Sequence, residues 1–401
     1  MNACRPVLLR RLDCRIVAAG ALACVVALAA HPVPAAAAAG KVAATSVPSG
    51  FDLPAPRRDD CDRSGHEQLL RAEHPDTTAI PAAGPADGTP QAVWLDGFRL
   101  RWPGVGSIGA QRYVLAASAS GRMRIAVGER PAGDFRLWPL VPAATPPRED
   151  VAARFRHVGA GAELQLPPGL SATARRAILR GQVLVLALDT GGRVLRATRT
   201  QHPGALDDLY AAAQTVAAFG VAVAQAPVPS TTWRVWAPTA ARVALCLYPS
   251  GREPARALWP MRRDEGTGAW SLQRPADLTG HVYTYLVDVF VPGRGWVRNT
   301  VTDPYATSLT TDSRRTWVGS LDDPATQPPG WRDTPRPDRA PAAVDMVIHE
   351  LHVRDFSVGD ATVPSAHRGR YLGFTQRDSD GMRHLARLSA AGLTDVHLLP
   401  V

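Results

Sequence analysis

At 401 residues the chain has room for two or three domains. Its formal charge of +9 comes almost wholly from arginine, since Lys41 is the single lysine, and the arginines are scattered along the sequence. That scatter argues against a nucleic-acid partner, which needs its cations gathered on one stripe or helix.

Arg5, Arg10, Arg11 and Arg15 form a basic lead, residues 16–30 are apolar and uncharged, and residues 35–39 are all alanine. This pattern predicts a signal peptide over residues 1–39. The apolar run is short of the roughly 20 residues a membrane-spanning helix takes. A secreted or periplasmic protein with no stable membrane insertion after signal removal is expected. Cys4, Cys14 and Cys24 lie in the leader, which leaves Cys61 and Cys246. Export permits a disulfide between them, but two distant cysteines make no framework and free thiols fit at least as well. No zinc-type spacing is present.

Residues 40–90 lack sustained periodicity and read as a flexible, exposed lead-in, with a helical turn or two at residues 67–73. Residues 91–204 carry many short alternating segments. AVWLDGFRLRWPG is a hairpin pattern with Asp96-Gly97 as a type I′ turn pair. Phe98, Leu100 and Trp102 share one face. Residues 171–180 predict a short helix closed by Gly181. Frequent strands and turns predict a small β-sandwich.

Residues 205–230 read as a connector, helical over 205–218 and then proline-rich. Residues 231–322 predict a second sandwich, opened by Thr232-Trp233-Arg234-Val235-Trp236 and closed by Asp303-Pro304-Tyr305. A linker follows at 323–341. Residues 342–401 then predict strand (346–353), helix (381–391, capped by Asp380) and strand (396–401). Such a βαβ unit demands a parallel sheet.

These segments resemble known proteins. AVWLD…LRWPG is similar to the N-terminal β-domain of bacterial pullulanases. TTWRVWAPTAARVALCLY, with NTVTDPYATSL at its exit, resembles the carbohydrate-binding-type module of starch-branching and debranching enzymes. DMVIHELHVRDFS and GLTDVHLLPV resemble the first two barrel strands of pullulanase-type α-1,6-glucosidases. The HVRDFS ending favours debranching over branching enzymes. The resemblance implies a multidomain chain: two β-sandwich accessory domains, then the start of an incomplete (β/α)8 TIM barrel at residues 342–401. It implies an exported glycoside hydrolase acting on α-1,6 links in pullulan, amylopectin or related α-glucans, with retention of configuration. In that family one Asp attacks the sugar carbon, one Glu protonates the leaving oxygen and a second Asp binds the distorted sugar. They follow the fourth, fifth and seventh strands. A whole barrel takes about 250 residues, so these groups are expected beyond Val401 and the chain alone is expected to be inactive. No catalytic residue, substrate-binding residue or metal ligand is assigned, no cofactor is expected, and calcium is left open for the complete family enzyme. The partner implied is an α-glucan polysaccharide. Two other readings stay open: a non-catalytic α-glucan-binding protein, and a fragment of a branching or isoamylase-like enzyme.

Residues present in the chain offer weaker chemistry. His349 and His352 are three apart on an expected strand, so they face opposite ways and do not clamp one ion. Glu350, His352 and Arg354 would share a face as a structural ion-pair cluster. Trp233 and Trp236 are candidates for stacking on glucose, but like Trp94, Trp102 and Trp138 they are expected in cores. Asp355 and Asp360 read as solvated loop carboxylates rather than calcium ligands.

Overall fold

The computed structural model describes residues 51–80, 91–106, 111–336, 340 and 342–399. The expected signal peptide, the first part of the lead-in and residues 81–90 lie outside the described residues, as do the last two residues of the expected final strand.

The first β-domain is a closed barrel, not a sandwich. Its seven strands run in the order Val194–Gln201, Ala92–Trp94, Arg99–Pro103, Gly161–Gln165, Arg136–Pro142, Arg112–Ser118 and Gln182–Leu188. One parallel pairing closes it, with Thr200 opposite Ala92 and Gln201 opposite Val93. A sandwich and a small barrel share the same inward–outward alternation, so the period of two does not reveal the closure. Trp94, Leu100, Trp102, Leu115, Leu164 and Val185 fill the interior, and Trp138 packs half-buried against it. Where Gly161 pairs with Pro103, an added Cβ would lie 2.0 Å from the Trp102 carbonyl oxygen, so only glycine fits. The 92–103 hairpin also turns differently from expectation. Neither Asp96 nor Gly97 has positive φ, which type I′ requires. Instead the Asp96 carboxylate accepts the backbone N–H groups of Phe98 and Arg99, both at 2.8 Å, and Leu95 N–H donates to the Arg99 carbonyl. Ser171 caps the helix Ala172–Ile178 by accepting from Ala174 N–H.

The second domain is a sandwich of two antiparallel sheets. One orders Glu67–Ala72, Gly295–Val301, Val282–Val291, Arg242–Tyr248 and Ala257–Pro260, with Thr316–Trp317 also pairing Val282–Val291. The other orders Gly220–Ala224, Ser230–Trp236, Ala269–Arg274 and Arg262–Arg263. Trp233, Leu245, Tyr283 and Tyr285 pack between them. The segment expected as connector is divided. Pro203–Leu209 is helical, Ala211–Thr215 is a 3-10 turn, and Gly220–Ala224 is a sandwich strand paired along its length with Ser230–Trp236. The proline-rich stretch is therefore a turn inside the sandwich rather than a boundary.

The lead-in departs most from expectation. Glu67–Ala72 is not a helical turn but the edge strand beside Gly295–Val301. Residues 51–62 lie across the outer face of that sheet. Cys61, on the 3-10 turn Arg58–Asp62, forms a disulfide with Cys246. The buried Arg298 guanidinium pairs with Asp288 (2.7 Å) and Asp60 (2.8 Å) and donates to the Pro54 carbonyl. Phe51 meets the fully buried Trp296 edge-on. Further along, the buried Glu73 carboxylate joins both domains. It accepts from Arg199 (2.9 and 3.0 Å) and Gln182 (2.8 Å) of the barrel and from Gly293 N–H (2.7 Å) of the sandwich. A second seam forms where Tyr210, in the barrel core, accepts from Arg263 of the sandwich at 3.0 Å.

His202 precedes the helix Pro203–Leu209, and its ring nitrogen lies 2.7 Å from the Thr200 hydroxyl. Burial pushes its pKa down to about 4. The unfolded chain, with its ordinary value of about 6.5, binds this proton first. The stability from neutral His202 is therefore complete above pH 6.5 and is lost as pH falls through 4. At about 1.4 kcal/mol per pKa unit the ceiling is about 3 kcal/mol. His202 retains some surface in water, which places the expected loss nearer 2 kcal/mol. Urea titrations at pH 7 and pH 4 should show that difference shrink in His202→Asn. Equal pH dependence in both proteins would refute the assignment.

Residues 342–399 hold a parallel strand pair, Ile348–Leu351 beside Asp395–Leu398, joined through the helix Asp380–Ala390. Ser379, not Asp380, caps that helix by accepting from Met382 N–H. Parallel strands are normally covered on both faces. Here Ile348 is 57% exposed, Val396 43% and Leu398 39%. Limited proteolysis of the isolated chain is expected to cut after Pro341 before it cuts the two β-domains. A tail that survives as long as they do would contradict this.

Candidate functional site

In doubly wound and barrel folds, chemistry collects at the carboxyl ends of parallel strands. The corresponding residues here are Leu351, His352, Leu398 and Leu399. The expected Glu350–His352–Arg354 face does not form, because the strand stops at Leu351 and Val353–Ser357 turns helical. His352 Nδ1 caps that helix by accepting Arg354 N–H at 3.0 Å. The Arg354 side chain lies 3.6 Å from Asp355, with both exposed. Glu350 instead meets His397 of the neighbouring strand at 2.9 Å. This is an exposed carboxylate–imidazole pair.

Asp360 works within its own loop. Its carboxylate accepts from the hydroxyl and N–H of Thr362 and from Gly381 N–H at 3.1 Å, near the start of the helix Asp380–Ala390. The Thr362 hydroxyl, followed by the backbone of Gly381, holds its pKa below the usual carboxylate range. Among the described residues no three His, Cys, Asp or Glu side chains converge as a metal site.

The tryptophans considered for stacking are turned inward. Trp233 is fully buried and meets Tyr283 edge-on. Trp236 donates its indole N–H to the Thr267 carbonyl and packs against the barrel core. Trp259 is half-buried, with the Arg274 guanidinium 4.5 Å from its ring centroid. An open aromatic surface appears instead at the sandwich exit, where Tyr305 stacks on Phe219 at 5.0 Å and 18°. Sequence reading missed this pair. Asp303-Pro304-Tyr305 marked the end of the module, but Phe219 was read as part of the 205–230 connector. The barrel carries a cavity of about 730 Å³ lined by Gly104, Val105, Pro142, Ala143, Ala162 and Glu163, among others. Its carboxylate is neutralised by Arg101 at 2.6 Å and Arg99 at 3.5 Å.

Comparison with known proteins places these modules. Residues 89–208 match the pullulanase N2 domain, and residues 218–306 match carbohydrate-binding module 48, the isoamylase N-terminal domain. A pullulanase of Klebsiella pneumoniae is 36% identical over 315 residues, 78% of this chain. Over these modules the chain is similar to pullulanases. The chloroplastic pullulanase 1 of Arabidopsis thaliana is 35% identical over 257 residues, 63% of this chain. The chain spans 28% and 25% of the length of these two relatives. The crystal structure of the Klebsiella oxytoca pullulanase superposes with a TM-score of 0.65 at 36% identity, over 78% of this chain and 29% of that one. A maltotriose complex of the Klebsiella pneumoniae enzyme gives 0.64 at 35%, over 78% and 33%. The match to module 48 starts at residue 218, in agreement with the sandwich strand that begins at Gly220.

Proposed function

We propose that the chain is the N-terminal portion of an exported pullulanase-type hydrolase whose complete form cleaves α-1,6-glucosidic links in α-glucans with retention of configuration. The 36% identity to a pullulanase over 315 residues carries this reading. The barrel and sandwich serve as accessory modules, clamped together by Glu73 and the Tyr210–Arg263 contact. The strand–helix–strand unit at residues 342–399 is the beginning of a (β/α)8 barrel. Its open strand faces fit that role, since further strands and helices would cover them. Retaining hydrolysis requires two carboxyl groups about 5–5.5 Å apart. In this reading they lie beyond Val401, so the chain alone binds α-glucan without cleaving it. The Cys61–Cys246 disulfide supports an oxidising compartment, secreted or periplasmic.

Two measurements test the reading. The 401-residue chain should release no sugar from pullulan yet be retarded by amylopectin in a native gel. Completed with downstream sequence, it should give maltotriose from pullulan, whereas new α-1,6 branches would identify a branching enzyme. The alternative of a non-catalytic glucan-binding protein rests on the same two modules. It would prevail if the reading frame after the Val401 codon carried no further barrel sequence.

A further inference from the structure

The open aromatic pair at the sandwich exit is held by an unusual amount of buried polar structure. Asp303 is 3% exposed. One of its carboxylate oxygens accepts the hydroxyls of Tyr283 (2.7 Å) and Tyr285 (2.9 Å), and the other accepts Tyr305 N–H at 2.8 Å. Asp303 N–H in turn donates to the Thr316 hydroxyl at 2.9 Å. A buried carboxylate costs free energy unless its lone pairs are satisfied, and three donors satisfy this one. Together they fix the backbone of a residue whose own side chain is 39% exposed. Gly220, at φ +90°, sits against it, and a Cβ there would lie 3.2 Å from Tyr305 Cβ. Phe219 is thereby brought under the tyrosine ring.

Val301 and Leu309, 38% and 42% exposed, belong to the same short segment. Trp331 and Tyr371 are more exposed, at 63% and 56%. Among the described residues no ring contact or buried carboxylate fixes either of them. Tyr305 therefore stands apart as a large aromatic that is both open and immobilised. A rigid tyrosine offers wide amphipathic contact at little entropic cost, and fixing it before the ligand arrives strengthens binding.

We propose that Tyr305, backed by Phe219, is a glucose-stacking platform through which the sandwich holds an α-glucan chain. The apolar ring face suits the C–H face of a hexose, and the phenol hydroxyl suits its hydroxyl rim. The assignment rests on the α-glucan reading above. A protein surface is the competing occupant.

The full 401-residue chain is the test material, with maltoheptaose titrated by calorimetry and amylopectin in native gels. Tyr305→Ala is expected to weaken binding about tenfold, with Tyr305→Phe close to the starting protein because stacking survives. Phe219→Ser reaches the same platform from its other ring and should also weaken binding. Trp331→Ala should leave it unchanged, and melting curves check that each variant folds. If the parent chain binds and both platform variants bind as well, the platform is refuted while the α-glucan reading stands. If the parent chain binds neither ligand, the α-glucan reading itself fails and the platform with it.

Discussion

Glu73→Ala is expected to lower the unfolding free energy by about 3–5 kcal/mol, the usual cost of removing one partner from a buried ion pair. The carboxylate lies buried against Arg199, with both guanidinium nitrogens in reach, and it also holds Gln182 and Gly293 N–H. Alanine leaves a buried arginine charge, a side-chain amide and a backbone donor with a shared partner gone. Because those donors come from both domains, barrel and sandwich should melt together in the parent chain and separately in the variant. Calorimetry reads this directly as one transition becoming two. Glu73→Ala combined with Arg199→Met should recover part of the loss, since the stranded charge is removed as well. A single transition of unchanged midpoint in Glu73→Ala would show that the clamp contributes nothing.

The paired substitution Cys61→Ser, Cys246→Ser is expected to cost about 2–5 kcal/mol. The two cysteines are 185 residues apart in sequence, and a cross-link that closes a long loop removes much freedom from the unfolded chain. Their loss should also loosen residues 51–62, because the contacts from Asp60 and Pro54 to Arg298 depend on the same segment staying in place. Urea denaturation with and without reductant provides the check. The parent chain should shift on reduction and the paired variant should not. Indistinguishable curves for reduced and oxidised parent would mean that the bond does not stabilise the fold.

Much of this architecture was legible residue by residue. Trp94, Trp102 and Trp233 were expected in cores and are buried there, because alternation in a strand assigns a face even when the partner strand is unknown. The short helices expected at 171–180 and 381–391 form under local rules of three or four residues, although Ser379 rather than the expected Asp380 caps the second. What stayed hidden depends on distant pairing. Barrel closure rests on the two residue pairs joining Val194–Gln201 to Ala92–Trp94, and no local pattern announces them. The segment EQLLRA at Glu67–Ala72 is a poor strand former by composition. It becomes a strand because Gly295–Val301 offers it an edge. The HELHVR segment misled for a related reason: an extended reading continued past Leu351, where His352 starts a helix. The Tyr305–Phe219 pair joins the two ends of the sandwich, and only the folded sheet order brings them together.

The lead-in also sets an order of events for a chain made from its N-terminus. Domains usually fold in sequence as they emerge, and contacts between distant segments form slowly. The barrel becomes complete once residue 201 is out, since its last strand pairs with its first. Residues 51–72 gain little from that event beyond the Arg71 hydrogen bond to the Ser120 carbonyl: Cys61 waits for Cys246, and the strand at Glu67 waits for the edge at Gly295–Val301. Residues 51–72 therefore settle after the barrel that follows them in the chain. Until that edge is made they remain a thread ahead of the barrel, without most of their final partners.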